Sequence, residues 1–139
     1  MNFPILSSLI ILPTVGALFL LFSKDKNSNT GKYVALFTSF VNLLISIYLW
    51  ILFDSTTSNF QFVEEREWLK GFINYKIGID GISILFVILT TLITPLCIIS
   101  VNNTIKNRLR DFLIAILIME SLMIGVFCSL DLVVFYLFF

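Results

Sequence analysis

The chain has no histidine and only two cysteines among its 139 residues. The lack of histidine excludes histidine-ligated haem, most zinc sites and any catalytic pair of serine or cysteine with histidine. Cys97 and Cys128 each lie alone in an apolar segment, so we interpret both as packing or lipid-facing thiols. Glycine-rich nucleotide-binding motifs and iron–sulfur cysteine spacings are also missing. We therefore expect no redox centre, metal or other cofactor in this chain.

Charge is also scarce in this sequence. Charged residues make up 13% of the chain, and nine basic side chains balance nine acidic ones. A net charge of zero gives no reason to expect a nucleic-acid partner. Hydrophobic residues, in contrast, make up 58% of the chain, whereas soluble domains have about 45–50%. This composition predicts a membrane protein with the lipid bilayer as its surroundings.

Long apolar runs define the expected fold. A bilayer core about 30 Å thick needs about 20 apolar residues per helix. Four segments have this length, and a shorter fifth follows them, so the predicted helices cover residues 3–22, 33–53, 82–101, 112–130 and, in part, 132–139. The fold class is thus an all-α polytopic membrane protein with an outer loop at residues 54–81. Eight helical residues rise only about 12 Å, so we expect residues 132–139 to begin a helix in a fragment of a longer protein.

The charges between the runs predict an orientation. Residues 23–32 and 102–111 each hold three basic side chains against one acidic side chain, whereas residues 54–80 hold three basic and five acidic ones. Short basic loops favour the cytoplasmic or matrix side. We therefore expect the N-terminus and the acidic loop on the outer, positive side of a bacterial or mitochondrial inner membrane. The aromatic residues of that loop indicate either a short hairpin or interfacial helix over a neighbouring protein, or an aromatic belt in the headgroup zone.

The strongest candidate for a functional site is Glu120, a carboxylate in the middle of the fourth apolar run. A charge at that depth costs on the order of 2.5–3.5 kcal/mol on insertion scales, which indicates a proton or ion site facing the protein interior. Ser121, Gly125 and Cys128 form a stripe of small residues that lets another helix approach closely. The sequence offers no obvious intramembrane partner for Glu120. The alternative is a glutamate that is satisfied by a buried hydrogen bond to a neighbouring helix and has no role in transport.

The secondary candidates are Asp80, Asp131, Thr94 and Pro95. Asp80 precedes the third run, and we expect it to cap that helix or hold the preceding loop rather than to handle protons. Asp131, at the outer end of the fourth run, is equally compatible with a helix boundary in water and with a functional role. Thr90, Thr94 and Pro95 share one helix, in which the threonine hydroxyls can satisfy backbone groups that the proline leaves free.

Two stretches of the sequence carry a family resemblance. They are YKIGIDGISILFVILTTLITPLCIIS at Tyr75–Ser100 and LIMESLMIGVFCSLDLVVFYLFF at Leu117–Phe139. Both closely resemble the subunit M family of the proton-pumping NADH:quinone oxidoreductase (respiratory complex I), which corresponds to chain 4 in mitochondria. The motif GIDGIS favours subunit M over its paralogues L and N and over the related protein of the Mrp antiporters.

The resemblance implies a fold, an activity and partners. The chain would be the N-terminal part of an antiporter-like, Mrp-type bundle that contributes to proton translocation coupled to electron transfer. It would be part of an enzyme only within the complex, whose other membrane-arm subunits are its partners. Quinone, NADH, FMN and iron–sulfur clusters would be held by partner subunits.

The resemblance also assigns a role to one residue of this chain. By the motif MESLMIGVF, Glu120 matches the family's intramembrane glutamate of the fourth helix. A second glutamate of the family follows the motif FYLFF, after which this chain ends at Phe139, so we expect this segment alone not to pump. Two alternatives remain open, a subunit of an Mrp-type cation/proton antiporter without redox partners and a non-catalytic truncated membrane remnant.

Overall fold

The computed structural model describes residues 4–24, 29–101, 104–105 and 107–139. Within these residues the elements follow in the order α1 (Ile5–Phe22), α2 (Asn29–Leu52), β1 (Gln61–Leu69), β2 (Ile73–Ile79), α3 (Gly81–Ser100), α4 (Leu109–Cys128) and α5 (Leu132–Phe138). The predicted membrane bundle of four long helices and a short fifth is confirmed. The outer loop departs from an all-α fold, because it forms a β-hairpin, one of the possibilities that its sequence left open.

The ends of the helices differ slightly from those read in the sequence. Helix α2 begins at residue 29 rather than 33, and α4 ends at residue 128 rather than 130. Helix α2 begins among polar residues that precede the apolar run, so the apolar pattern alone does not show where it starts. Parts of both basic loops, residues 25–28, 102–103 and 106, lie outside the described residues, as does the expected first residue of α1.

Helices α1 to α4 have the dimensions of membrane-spanning helices. They are 18 to 24 residues long and apolar enough to cross a bilayer, and a helix of about 20 residues is about 30 Å long. Large apolar side chains remain exposed on their outer faces, including Phe19, Phe37, Ile51 and Leu85. Lipid tails are as apolar as these side chains, so such faces need no protein partner in a membrane.

Helix α4 occupies the centre of the bundle. It packs against α1, α2, α3 and α5, and it also contacts β2. Two apolar clusters fill the interior at opposite ends of the bundle. The cluster near the hairpin, here called the hairpin-end cluster, includes Leu9, Leu49, Ile77, Val87 and Ile124. The cluster at the other end, here called the far-end cluster, includes Ala17, Ala35, Ile98, Leu113 and Leu117.

The hairpin closes one end of the bundle. Strands β1 and β2 are antiparallel, and the turn between them contains Gly71 at a φ of +91°, a conformation that glycine adopts without steric cost. The backbone N–H of Leu130 donates to the carbonyl of Lys76 at 3.0 Å, which ties β2 to the segment between α4 and α5. Ile77 and Ser129 form an isolated β-bridge at the same place. Because α4 ends at Cys128, the backbone after it is extended and free to pair with β2.

Glu64 of β1 attaches the hairpin to the start of α1. Its Oε1 accepts a hydrogen bond from the backbone N–H of Leu6 at 2.9 Å, and its Oε2 accepts one from the backbone N–H of Ser7 at 3.2 Å. The Ser7 hydroxyl also donates to the same carboxylate. The first N–H groups of a helix lack partners within the helix and attract negative charge, so this carboxylate caps α1 from a distant part of the chain.

Candidate functional site in the polar layer of the bundle

Glu120 lies at an inward-facing position of α4. The buried residues of α4 recur every three or four positions, which gives the helix one continuous inward face. Glu120 lies on this face, one turn from Leu117 on one side and from Ile124 on the other. Its side chain is 0% exposed. A residue type that is almost never fully buried without a partner therefore occupies an interior site.

The partner of Glu120 is Asn42 on α2. The Asn42 amide Nδ2 donates to Glu120 Oε1 at 2.9 Å, and Asn42 is also fully buried. The sequence offers no obvious intramembrane partner for Glu120, but the fold provides one. The partner lies 78 residues earlier in the chain, in a different apolar run. A signal was present in the sequence, since Ser39, Asn42 and Ser46 recur at three and four residues and so mark one polar stripe on α2.

Two oxygen atoms of this pair, here called the open atoms, lack a hydrogen-bond partner in the part of the chain that the structure describes. Glu120 Oε2 and Asn42 Oδ1 are buried, and neither has a hydrogen-bond partner within the described residues. Leaving a buried acceptor unsatisfied costs about 1–3 kcal/mol. Both open atoms are acceptors, so each can take a hydrogen from a proton-bearing group or from water.

The pair belongs to a layer of polar side chains between the two apolar clusters. We call this set the polar layer, and its members are Ser39, Asn42, Ser46, Thr90, Thr91, Thr94, Glu120 and Ser121, all of them buried. Each of the helices α1 to α4 contributes apolar residues to the clusters on both sides of the layer. On α2, for example, Ala35 belongs to the far-end cluster and Leu49 to the hairpin-end cluster. The layer therefore lies near the middle of the bundle.

Hydrogen bonds between helices connect the polar layer. The hydroxyls of Ser46 on α2 and Thr91 on α3 lie 2.8 Å apart. The Ser121 hydroxyl of α4 donates to the carbonyl of Ile10 on α1 at 2.7 Å. Together with the Asn42–Glu120 bond, these contacts join four helices at one level. Sequence reasoning did not identify Asn42, Ser46 or Thr91 as members of the site.

The two aspartates lie at helix ends and not in the polar layer. Asp80 is the N-cap of α3, as expected, and its Oδ1 accepts from the backbone N–H of Ser83 at 2.7 Å. This hydrogen bond holds the pKa of Asp80 below its ordinary value. Asp131 is the N-cap of α5, and its Oδ1 accepts from the backbone N–H of Val133 at 2.9 Å. Both carboxylates therefore have a local structural role.

The threonines near Pro95 bond to carbonyls other than the one that was expected. Proline lacks an N–H, so Pro95 leaves the carbonyl of Thr91 without its usual donor. The Thr94 hydroxyl donates to the carbonyl of Thr90 at 3.0 Å, and the Thr91 hydroxyl donates to that of Ile88 at 3.0 Å. Within the described residues, the expected compensation for the proline is therefore absent. The threonines instead place their hydroxyls in the polar layer.

The described residues do not gather three or more cysteine or acidic side chains into a group that could hold a metal ion. The titratable group of the polar layer is the Glu120 carboxyl. Hydroxyls and one amide surround it at the same level, and these groups can donate or accept hydrogen bonds but do not carry charge. The arrangement can therefore bind or exchange a proton at one carboxyl in a polar layer whose other members are neutral.

Comparison with known proteins shows consistent similarities. The family model described as "NADH-ubiquinone oxidoreductase chain 4, amino terminus" matches residues 8–126. The NADH-ubiquinone oxidoreductase chain 4 of Marchantia polymorpha is 45% identical over 135 residues, which are 96% of this chain and 27% of that protein. The NADH-quinone oxidoreductase subunit M of Rickettsia prowazekii (strain Madrid E) is 41% identical over 143 residues, which are 100% of this chain and 29% of that protein.

A third relative has higher identity over a shorter stretch. The NADH-quinone oxidoreductase subunit M of Rhodobacter capsulatus is 50% identical over 115 residues, covering 83% of this chain and 22% of that protein. This chain thus spans less than a third of the length of each of these relatives. Each match covers most or all of this chain, whereas the greater part of each relative lies outside the match.

Proposed function

Because this chain belongs to the NADH-ubiquinone oxidoreductase chain 4 family, we propose that it acts within a membrane-arm subunit that translocates protons. The membership confirms the resemblance seen in the sequence. Proton movement would be coupled to electron transfer from NADH to quinone, which the assembled complex carries out with cofactors in partner subunits. The names of the matched relatives favour this function over a cation/proton antiporter without redox partners.

The surroundings follow from the same proposal. The bundle lies in a bacterial or mitochondrial inner membrane and contacts the other membrane-arm subunits of the complex. Its four long helices cross the bilayer. The N-terminus and the hairpin face the outer, positive side, as the acidic loop favours. The hairpin then covers the outer end of the bundle, and the polar layer lies near the middle of the membrane.

The observation that carries the proposal is the burial of Glu120 in the polar layer with one oxygen still open. A purely structural hydrogen bond between α2 and α4 needs only an uncharged side chain such as Gln. A carboxyl adds the ability to exist in two protonation states, and its neighbours decide which state is favoured. Charge rearrangement in adjacent subunits during electron transfer shifts that balance, and the carboxyl then takes up or releases a proton.

The test is the substitution Glu120→Gln in the full-length protein within the assembled complex. Glutamine preserves the size of the side chain but cannot carry a proton between two states. We expect NADH oxidation to continue with fewer protons moved per NADH, measured in sealed membrane vesicles with a pH-sensitive dye. Assembly is checked in parallel from the amount of intact complex in the membrane.

The matched control is Ser121→Ala. This substitution removes a buried hydrogen bond between helices at the adjacent position, the bond to the Ile10 carbonyl, but it removes no titratable group. The number of protons per NADH is expected to stay unchanged in this variant. If Glu120→Gln assembles normally and also moves the normal number of protons per NADH, Glu120 has only a structural role.

A further inference from the structure

Within the described residues, Asn42 is the member of the polar stripe on α2 that reaches α4, whereas Ser46 lies 2.8 Å from Thr91 on α3. The hydroxyls of Ser39 and Ser46 donate to carbonyls of α2 itself, those of Leu36 and Leu43. The Asn42 amide instead reaches across to α4 and donates to the Glu120 carboxyl. Within the described residues, it is the hydrogen-bond partner of that carboxyl. A neutral side chain of one helix therefore fixes the carboxyl of another.

The two open atoms of the pair are both acceptors, and one added proton would supply the donor that they lack. Asn42 retains a free carbonyl acceptor, and Glu120 retains a free oxygen. An ionised carboxylate can only accept, whereas a carboxylic acid has one O–H to donate. An amide offers an N–H donor and a carbonyl acceptor on the same planar group. An amide can therefore form a hydrogen bond with either protonation state of a carboxyl. A serine or threonine hydroxyl must donate and accept through a single oxygen.

We propose that Asn42 is the positioning residue of Glu120 in both of its protonation states, an inference that rests on the proposed function of Glu120 as a proton-exchanging group. The Asn42 N–H holds Oε1 of the carboxyl throughout. When Glu120 is protonated on Oε2, the Asn42 carbonyl accepts that hydrogen, and both open atoms become satisfied. Helix α2 thus forms the proton site together with α4, and the carboxyl keeps its position when its charge changes.

The local surroundings support this assignment. Both side chains are fully buried between apolar clusters, where the low dielectric strengthens a hydrogen bond that is made and penalises one that is left unmade. An amide at position 42 is therefore costly unless the carboxyl on α4 uses it. A carboxyl held in a fixed place also needs little reorganisation when a proton arrives or leaves, which is the general advantage of a preorganised polar site.

The experiment compares Asn42→Leu with Ser39→Ala in the full-length protein within the assembled complex. Leucine has nearly the shape of asparagine but neither donates nor accepts a hydrogen bond. Ser39 is a matched control, because it is fully buried on the same stripe of α2 while its hydroxyl bonds within α2. Asn42→Ser is the second variant, since it also removes the reach to α4 and remains informative if the leucine variant does not assemble.

The readout that tests the contact is the infrared band of the protonated Glu120 carboxyl. The band is identified in difference spectra of the complex by its loss in Glu120→Gln. We expect Asn42→Leu to move it to higher wavenumber, because a carbonyl that accepts no hydrogen bond vibrates at higher frequency, and we expect Ser39→Ala to leave it in place. An unmoved band in Asn42→Leu, an equal movement in Ser39→Ala, or no band that Glu120→Gln removes would overturn the proposal.

Proton pumping supplies the second readout. We expect Asn42→Leu to lower the number of protons per NADH, and we expect no further loss when it is combined with Glu120→Gln, because Asn42 acts through that carboxyl. An equal loss with and without Glu120 would overturn the positioning role. The two proposals fail separately. Normal pumping by Glu120→Gln ends the proposed function, whereas the infrared band still decides whether Asn42 holds the carboxyl.

Discussion

The Glu64 carboxylate binds the start of α1 to the hairpin through three hydrogen bonds, and Glu64→Ala tests this contact. The substitution removes the acceptor for the backbone N–H groups of Leu6 and Ser7 and for the Ser7 hydroxyl. Hydrogen bonds to a charged group contribute about 1.5–3 kcal/mol each to stability when buried, and this carboxylate is only partly buried. The loss of a helix cap typically costs about 1 kcal/mol.

The expected magnitude follows from these values. We take the three contacts together as about 2 kcal/mol, because partial exposure weakens each of them and hydrogen bonds that share one carboxylate are not additive. A free-energy difference of about 2 kcal/mol corresponds to a change of about 30-fold in the population of the open state. The start of α1 should therefore open about 30-fold more often in Glu64→Ala than in the unsubstituted protein.

Hydrogen–deuterium exchange of the peptide that contains Leu6 and Ser7 measures this opening in the membrane-embedded protein. The matched control is Glu65→Ala at the next position of β1. Glu65 forms only an exposed ion pair with Lys76, with Oε2 and Nζ 3.8 Å apart, and such surface pairs contribute about 0–1 kcal/mol. If both variants accelerate exchange of this peptide equally, or if neither does, Glu64 does not cap α1.

Two further predictions concern positions away from the polar layer. A Cβ added at Gly125 would lie 2.5 Å from the Phe138 ring, so Gly125→Ala should displace α5, cost about 1–3 kcal/mol of stability and speed amide exchange in α5. The control is Gly81→Ala, because a Cβ added there meets nothing within 4 Å. Unchanged exchange in α5 of Gly125→Ala would contradict the packing of Phe138 against Gly125. Asp80→Ala should cost about 1 kcal/mol at neutral pH through loss of the cap on α3. Because the hydrogen bond from Ser83 lowers the pKa of Asp80 below 3.8, the stabilisation is present above about pH 3.8 and lost as the pH falls through the lowered value. Amide exchange at the start of α3 should therefore differ between the two proteins at neutral pH and converge in strong acid, and an equal difference at both pH values would contradict this assignment.

The sequence was sufficient to predict the long helices and the position of Glu120. Apolar runs of bilayer length specify membrane helices almost independently of tertiary contacts, because every backbone polar group in lipid must be satisfied within the helix. A carboxylate in the middle of such a run is conspicuous for the same reason, since its burial is costly. Asp80 was also predictable, because an N-cap depends only on the few residues that follow it.

The partner of Glu120 could not be predicted in the same way. The spacing of Ser39, Asn42 and Ser46 shows that these residues share a face of α2, but it does not show which helix that face meets. The order of helices around a bundle depends on packing between residues that are far apart in sequence. The distance of 78 residues between Asn42 and Glu120 is of this kind.

The hairpin and the threonines near Pro95 show two further limits. The outer loop mixes aromatic and charged residues, a pattern that fits a strand or an interfacial helix until the bundle provides a surface to pair with. In the structure β2 pairs with β1 and also with Ser129, which follows α4. For the threonines the choice among nearby carbonyls depends on rotamers set by packing, and the hydroxyl of Thr94 bonds to Thr90 and not to the carbonyl that Pro95 frees.

We propose that the carboxyl of Glu120 exchanges protons within the polar layer. The most direct measurement is the number of protons moved per NADH oxidised by the complete complex carrying Glu120→Gln, compared with the same complex carrying Ser121→Ala. We expect the ratio to fall in the first variant and to stay normal in the second, with both complexes fully assembled. A normal ratio in Glu120→Gln would contradict this proposal.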